Sequence, residues 1–92
     1  MTETITRNLE IVNEKGLHAR ASAKFVETVE AYEARVEVCK DGMSASGDSI
    51  MGLLMLAAAR GSTIEVQVRG PDAPGLADAL QTLVANRFGE DM

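Results

Sequence analysis

Tryptophan is absent from this chain, and tyrosine and phenylalanine supply only one and two residues. A core so poor in aromatics has to be filled by aliphatic side chains and by the five methionines, whose unbranched thioethers adapt to irregular gaps. Cysteine occurs once, at Cys39. That excludes an internal disulfide and any metal site built from several thiolates, and no metal or cofactor is expected. No apolar run approaches the length of a membrane span, and the first residues lack the basic-then-apolar pattern of a signal peptide. A cytoplasmic protein with no membrane insertion is therefore expected. Positive charge is in deficit, with nine Lys and Arg against 14 Asp and Glu and a net charge of −5. Generic nucleic-acid binding, which needs a basic surface, is disfavoured.

What is present suits one small domain, residues 1–92, with an ordinary 46 % hydrophobic content. The only histidine, His18, stands in Asn13-Glu14-Lys15-Gly16-Leu17-His18-Ala19-Arg20-Ala21-Ser22. Gly16 loosens the backbone before it, and good helix formers follow it. A histidine so placed lies at the amino end of a helix, where the first N–H groups lack partners and the helix dipole favours an anion such as phosphate. An imidazole nitrogen there could accept a phosphoryl group, and Arg20 in the first turn could add a charge-assisted hydrogen bond. A lone histidine between loop and helix is more often a surface side chain or a local cap.

Along the chain, residues 4–12 read as a strand with Ile5, Leu9 and Ile11 on one face. Arg7 interrupts that face, which suggests a place near the strand's exposed end. Residues 13–17 form a strand-to-helix loop, a common place for function. Residues 19–32 have helical spacing, with Phe25, Val26, Val29 and Tyr32 on a core stripe. Residues 34–40 alternate again, Val36 and Val38 inward and Cys39 outward, where its thiol is expected to be inert. Asp41-Gly42 is a hairpin turn leading to the short strand Met43–Ser46.

A second helix runs from Ile50 to about residue 59. Ser49 or Asp48 caps it, and Arg60-Gly61 ends it. Apolar residues surround this helix, so part of it is expected to be an exposed patch of the kind that marks a partner surface. Residues 63–69 are the cleanest strand. Asp72 then caps a last helix with Pro74 in its first turn and Leu76, Leu80, Leu83, Val84 and Phe88 as its stripe. Residues 89–92 read as a frayed tail. Half-polar strands and one-sided helices imply an α+β two-layer domain of split βαβ type.

Two runs carry a resemblance. Gly16-Leu17-His18-Ala19-Arg20 looks like the active-site signature of the HPr family, the histidine-containing phosphocarriers of the phosphoenolpyruvate-dependent phosphotransferase system. Gly47-Asp48-Ser49-Ile50-Met51-Gly52-Leu53-Leu54 resembles that family's second signature, at the family's spacing. With the matching length, the resemblance covers essentially the whole chain and extends to the nitrogen-related branch of the system.

The resemblance implies an open-faced sandwich, βαββαβα, with four antiparallel strands under three helices. It implies that His18 is phosphorylated on Nδ1 by enzyme I, that Arg20 contacts the phosphoryl group, and that the group passes to enzyme II A-type proteins. The chain would then be a stoichiometric, monomeric carrier and not an enzyme. Ser49 matches a serine phosphorylated by an HPr kinase/phosphorylase, although an N-cap serine stabilises a helix without any regulation. Ile50, Met51 and Leu54 match the family's docking surface. One departure is Ala21, where many members have proline. Rival readings are a small-ligand regulatory or metallochaperone domain, disfavoured for copper by the lack of paired cysteines, and an interaction domain acting through the Ile50, Met51 and Leu54 patch.

Overall fold

The strand with the strictest alternation organises the sheet. In β4 (Thr63–Arg69), Ile64, Val66 and Val68 are fully buried while Glu65 and Gln67 remain partly exposed. In this computed structural model, which describes residues 4–92, β4 lies between β1 (Thr4–Glu10) and β2 (Arg35–Lys40), and β3 (Met43–Ser46) lies beyond β2. The order β1-β4-β2-β3 is antiparallel throughout. Register aligns the apolar sets. Val68 faces Ile5 on one side and Val36 on the other, and Val66 faces Val38. A one-residue slip would turn every one of these side chains to the wrong face.

One face of the sheet is covered by α1 (Ala19–Glu30), α2 (Ile50–Met55) and α3 (Ala73–Ala85), followed by a short 3-10 turn at Arg87–Gly89. The expected open-faced sandwich is what the chain adopts. Phe25, Leu53, Leu76 and Leu80 reach full burial from the three helices, which gives each helix an apolar anchor against the sheet. Asp41 and Gly42 both take left-handed backbone angles, φ 51° and 81°, as a two-residue hairpin between β2 and β3 requires.

Several elements differ from the expectation. The first strand ends at Glu10 and not at residue 12, yet Ile11 still exchanges backbone hydrogen bonds with Ser62 and Gly61, both of 2.8 Å. Helix α1 stops at Glu30, short of residue 32, where the Ala31 N–H tightens onto the Thr28 carbonyl. Helix α2 stops at Met55, four residues short of residue 59. Leu56 and Ala58 turn into the core, and Ala57 takes φ 52° to let them do so. Arg7 is central in β1, opposite Val66, and not at the strand's exposed end. Its stem lies along the helix-covered face while its guanidinium reaches α3, donating to Asp78 at 3.1 Å and Gln81 at 2.6 Å. Asp72 occupies the N-cap of α3 but its carboxylate accepts from the Glu33 N–H at 2.8 Å instead of capping the helix.

The carboxyl end departs furthest from expectation. Phe88 is not on the helix stripe. It lies in the 3-10 turn, fully buried, with φ 54° beside Arg87 at φ 57° and Gly89 at φ 78°. Non-glycine residues in this region cost of order 1–2 kcal/mol each. Burial of the Phe88 ring, worth about 1.5–3 kcal/mol, and a 2.7 Å hydrogen bond from Lys24 Nζ to the Phe88 carbonyl hold the turn in place. The tail that was expected to fray is thereby folded back toward the start of α1.

Candidate functional site

The loop after β1 is held from below. Gly16 has φ 66° and packs so tightly on the unwound end of α2 that an added Cβ would lie 2.5 Å from the Ala58 carbonyl oxygen. That same oxygen accepts a 2.9 Å hydrogen bond from the Leu17 N–H. The early end of α2 therefore has a consequence for the loop, because an α2 continued to residue 59 would commit this stretch of backbone to helical geometry. Leu17 itself is buried, so the chain emerges at His18 in one orientation.

His18 is the N-cap residue of α1, with an extended backbone (φ −78°, ψ −177°) and a carbonyl that accepts the first helical bond, from the Ser22 N–H at 2.8 Å. Its side chain does not cap the helix, so the imidazole is released from structural duty. The ring is partly exposed, at 28 % of its side-chain surface. The N–H groups of Ala19, Arg20 and Ala21 have no carbonyl one turn before them, which is the arrangement that favours an anion. Ala21, unlike proline, keeps its N–H.

The imidazole is not alone. Its Nε2 makes a hydrogen bond with Glu90 Oε2. The other carboxylate oxygen, Oε1, accepts at 2.9 Å from Asn13 Nδ2, which also donates at 2.8 Å to the Gly16 carbonyl. Asn13 is fully buried, and both of its neighbours are acceptors, so its NH2 must face them. A further backbone bond, Glu14 N–H to the Met92 carbonyl at 3.0 Å, fastens the tail to the loop. Burial pushes the Glu90 carboxyl upward, but the hydrogen bonds from Asn13 and His18 and the charges of His18 and Lys15 together outweigh it and hold the group below the ordinary carboxylate range.

Around the ring is an open depression of about 690 Å³ whose walls include Lys15, His18, Arg20, Lys24, Glu90 and Asp91. Arg20 is exposed and makes no ion pair among the described residues. The structure thus brings His18 and Arg20 to one surface, as anticipated. It adds Glu90 and Asn13, which sequence reasoning did not single out. The only hint of Glu90 was Phe88, a bulky apolar residue isolated in a polar tail, which needs an anchor to be stable there.

Ser49, Ile50, Met51 and Leu54 do not line that depression. Ser49 is the N-cap of α2, its Oγ accepting from the Gly52 N–H at 3.0 Å. Ile50 and Met51 are exposed, at 39 % and 69 %, whereas Leu54 is only partly so. Met55 on the same helix, 69 % exposed, and Met43 on β3, 48 % exposed, are further apolar side chains open to solvent. Cys39 is at neither place. Its thiol is pushed up by burial and then by Glu37 and Glu65, opposite to what a reactive thiolate needs. Among the described residues no His, Cys, Asp and Glu cluster could hold a metal ion, and no helix is long and apolar enough to cross a membrane.

Comparison with known proteins adds a lineage. The family model described as the phosphorylation site of the PTS HPr component matches residues 5–86, a span that ends before Glu90. The chain is 44 % identical to phosphocarrier protein HPr of Cupriavidus necator over 86 residues, covering 94 % of this chain and 97 % of that protein. It is 36 % identical to phosphocarrier protein NPr of Escherichia coli over 89 residues, covering 96 % and 99 %. A solved structure described as HPr-C-His from Thermoanaerobacter tengcongensis superposes with a TM-score of 0.91 at 33 % identity, covering 96 % of this chain and 99 % of that one.

Proposed function

The chain belongs to the HPr family of phosphotransferase-system components, and from that premise we propose that it is a single carrier domain, residues 1–92, that takes a phosphoryl group from enzyme I on His18 Nδ1 and hands it to an enzyme II A-type protein. The observation that carries this reading is the placement of the imidazole. It stands at the N-terminus of α1, freed from capping, in an open depression shared with Arg20.

The chemistry needs little from the carrier. The Nδ1 lone pair attacks phosphorus in line with the bond that breaks to the donor ring. The burden is positioning and the neutralisation of charge on the equatorial oxygens. Orphan N–H groups of the first turn and the Arg20 guanidinium meet that need. The chain is consumed and regenerated once per phosphoryl group, so it acts as a stoichiometric carrier and not as an enzyme. The partners proposed for it place it in the cytoplasm as a monomer.

Ile50, Met51 and the rim of Leu54 are the docking surface in this reading, and Ser49 beside them is a regulatory phosphorylation site for an HPr kinase/phosphorylase. Phosphate at the N-cap would suit the helix electrostatically, so its effect would be exerted on the partner and not on the fold.

Intact-mass spectrometry after incubation with phosphoenolpyruvate and enzyme I tests the proposal. An acid-labile phosphoryl adduct on the wild type, absent from His18→Ala, is expected. No adduct on the wild type, with an enzyme I active on another carrier, would overturn it.

A further inference from the structure

The structure assigns to Glu90 a role in the transfer itself: its carboxylate, held by Asn13, accepts a hydrogen bond from the Nε2–H of His18 and thereby sets the imidazole tautomer and orientation that leave the Nδ1 lone pair free to attack. This inference rests on the phosphocarrier reading of His18.

Three observations converge on it. Glu90 places one oxygen on His18 Nε2 and the other on Asn13 Nδ2, so the carboxylate is bridged and cannot swing. Asn13 is fully buried and anchored in turn to the Gly16 carbonyl, so the support is rigid. The tail that carries Glu90 is pinned on both sides, by Lys24 and the buried Phe88 before it and by the Glu14 to Met92 bond after it. Four separate attachments are more than is needed to keep a surface carboxylate out of the way.

The chemistry explains what such a carboxylate does. A neutral imidazole has one N–H and one lone pair, and the partner of the N–H decides which nitrogen is the nucleophile. A carboxylate at Nε2 fixes the proton there. When Nδ1 attacks, the new N–P bond uses the Nδ1 lone pair, and the electrons of the broken bond leave with the donor's ring nitrogen. The His18 ring keeps its Nε2 proton and becomes cationic. Glu90 faces that developing charge at hydrogen-bond distance, an interaction stronger in the transition state than before it. In the onward transfer the same paired, cationic ring is a good leaving group, and the ring is returned neutral. No atom is oxidised or reduced. The remaining charged groups on the depression, Glu14, Lys15, Arg20, Lys24 and Asp91, flank the ring without bonding Nε2. Glu90 is therefore a positioning residue that works through His18.

Ring NMR of 15N-labelled, unphosphorylated full chain at pH 8.5 tests the assignment without any partner, since free imidazole is neutral there. The wild type should give a single Nε2–H tautomer with a ring proton protected from solvent exchange, and Glu90→Ala should lose that protection. Phosphorylation by enzyme I supplies a second readout. Glu90→Gln, which keeps the shape and removes the charge, should react about ten- to a hundredfold more slowly, by analogy with loss of the carboxylate partner of a metal-ligating histidine. An unprotected Nε2 proton in the wild type, its retention in Glu90→Ala, or an unchanged rate in Glu90→Gln would each overturn the inference. If enzyme I failed to phosphorylate the wild type, the carrier reading would fall while the ring spectrum still decided whether Glu90 sets the tautomer.

Discussion

Two glycines with positive φ offer a matched experiment on the loop that presents His18. Gly16 (φ 66°) would place a Cβ 2.5 Å from the Ala58 carbonyl oxygen and 3.0 Å from Ala59 Cα, both backbone atoms, whereas Gly42 (φ 81°) has nothing within 4 Å. Alanine at either site meets the left-handed penalty of roughly 1–2 kcal/mol, offset by about 0.4–1 kcal/mol from a less flexible unfolded chain. Only Gly16→Ala adds a clash that no side-chain rotation relieves. The loop must move, at a cost of about 1–3 kcal/mol for overpacking. The 2.9 Å bond from the Leu17 N–H to Ala58 is then stretched, for about 1 kcal/mol more. Gly16→Ala should therefore be less stable than Gly42→Ala by about 2–4 kcal/mol. At roughly 4–8 °C per kcal/mol for a chain of this size, that is a Tm gap of at least about 8 °C. A domain of 92 residues has roughly 5–14 kcal/mol in total, so the variant should still fold at room temperature. Thermal and urea unfolding by circular dichroism measure the gap, and phosphorylation by enzyme I reads the site. Gly42→Ala should react like the wild type, and folded Gly16→Ala more slowly. Equal melting temperatures would refute the close approach of Gly16 to Ala58 as a determinant of this site.

Further outcomes follow from the tail and the caps. Phe88→Ala should cost about 3–5 kcal/mol as a buried aromatic truncation and also abolish the protected Nε2 proton of His18, because the ring anchors the segment that carries Glu90. The lowered pKa of Glu90 gives a signed pH dependence. Its contribution to stability is present above the unfolded value of 4.5 and is lost as pH falls through the folded value. Urea midpoints of wild type and Glu90→Gln should therefore differ near pH 7 and converge as the pH drops well below 4.5. Ser49→Ala removes the Oγ acceptor for the Gly52 N–H and should lower stability by about 1 kcal/mol, seen as a small drop in Tm with the rate of His18 phosphorylation unchanged.

The layers of this fold could be read because they rest on periodicity. The valines of β2 and β4, the stripe of α1 and the Asp41-Gly42 turn each state a local preference that the tertiary structure obeys. The placement of His18 and Arg20 on one surface was legible for the same reason, being set by a glycine and a helix start close by in sequence. Where local preference met a distant demand, the distant demand won. The apolar residues after Met55 suit a helix, but Ala58 is needed by Leu17, more than 40 positions earlier. Arg7 reads as a strand end because charge on an apolar face is costly, and the structure removes that cost with Asp78 and Gln81 on α3. Glu90 was invisible because nothing near it in the chain tells a surface carboxylate from one aimed at a histidine 72 positions away.

The sheet order also fixes when the site can exist. The β2–β3 hairpin closes over a two-residue turn and needs only neighbouring chain, whereas β1 pairs solely with β4, Glu10 with Thr63 at the near end and Thr4 with Arg69 at the far end. Closing that long loop is the entropically expensive step, and long-range pairing of this kind is slow. The His18 loop leaves the end of β1 and rests on Ala58, just before β4 begins. The depression around His18 is thus assembled in the step that joins the two most distant strands. A partly folded chain would have its hairpin but no oriented imidazole, so under the proposed function a phosphoryl donor would meet an acceptor only on the finished protein.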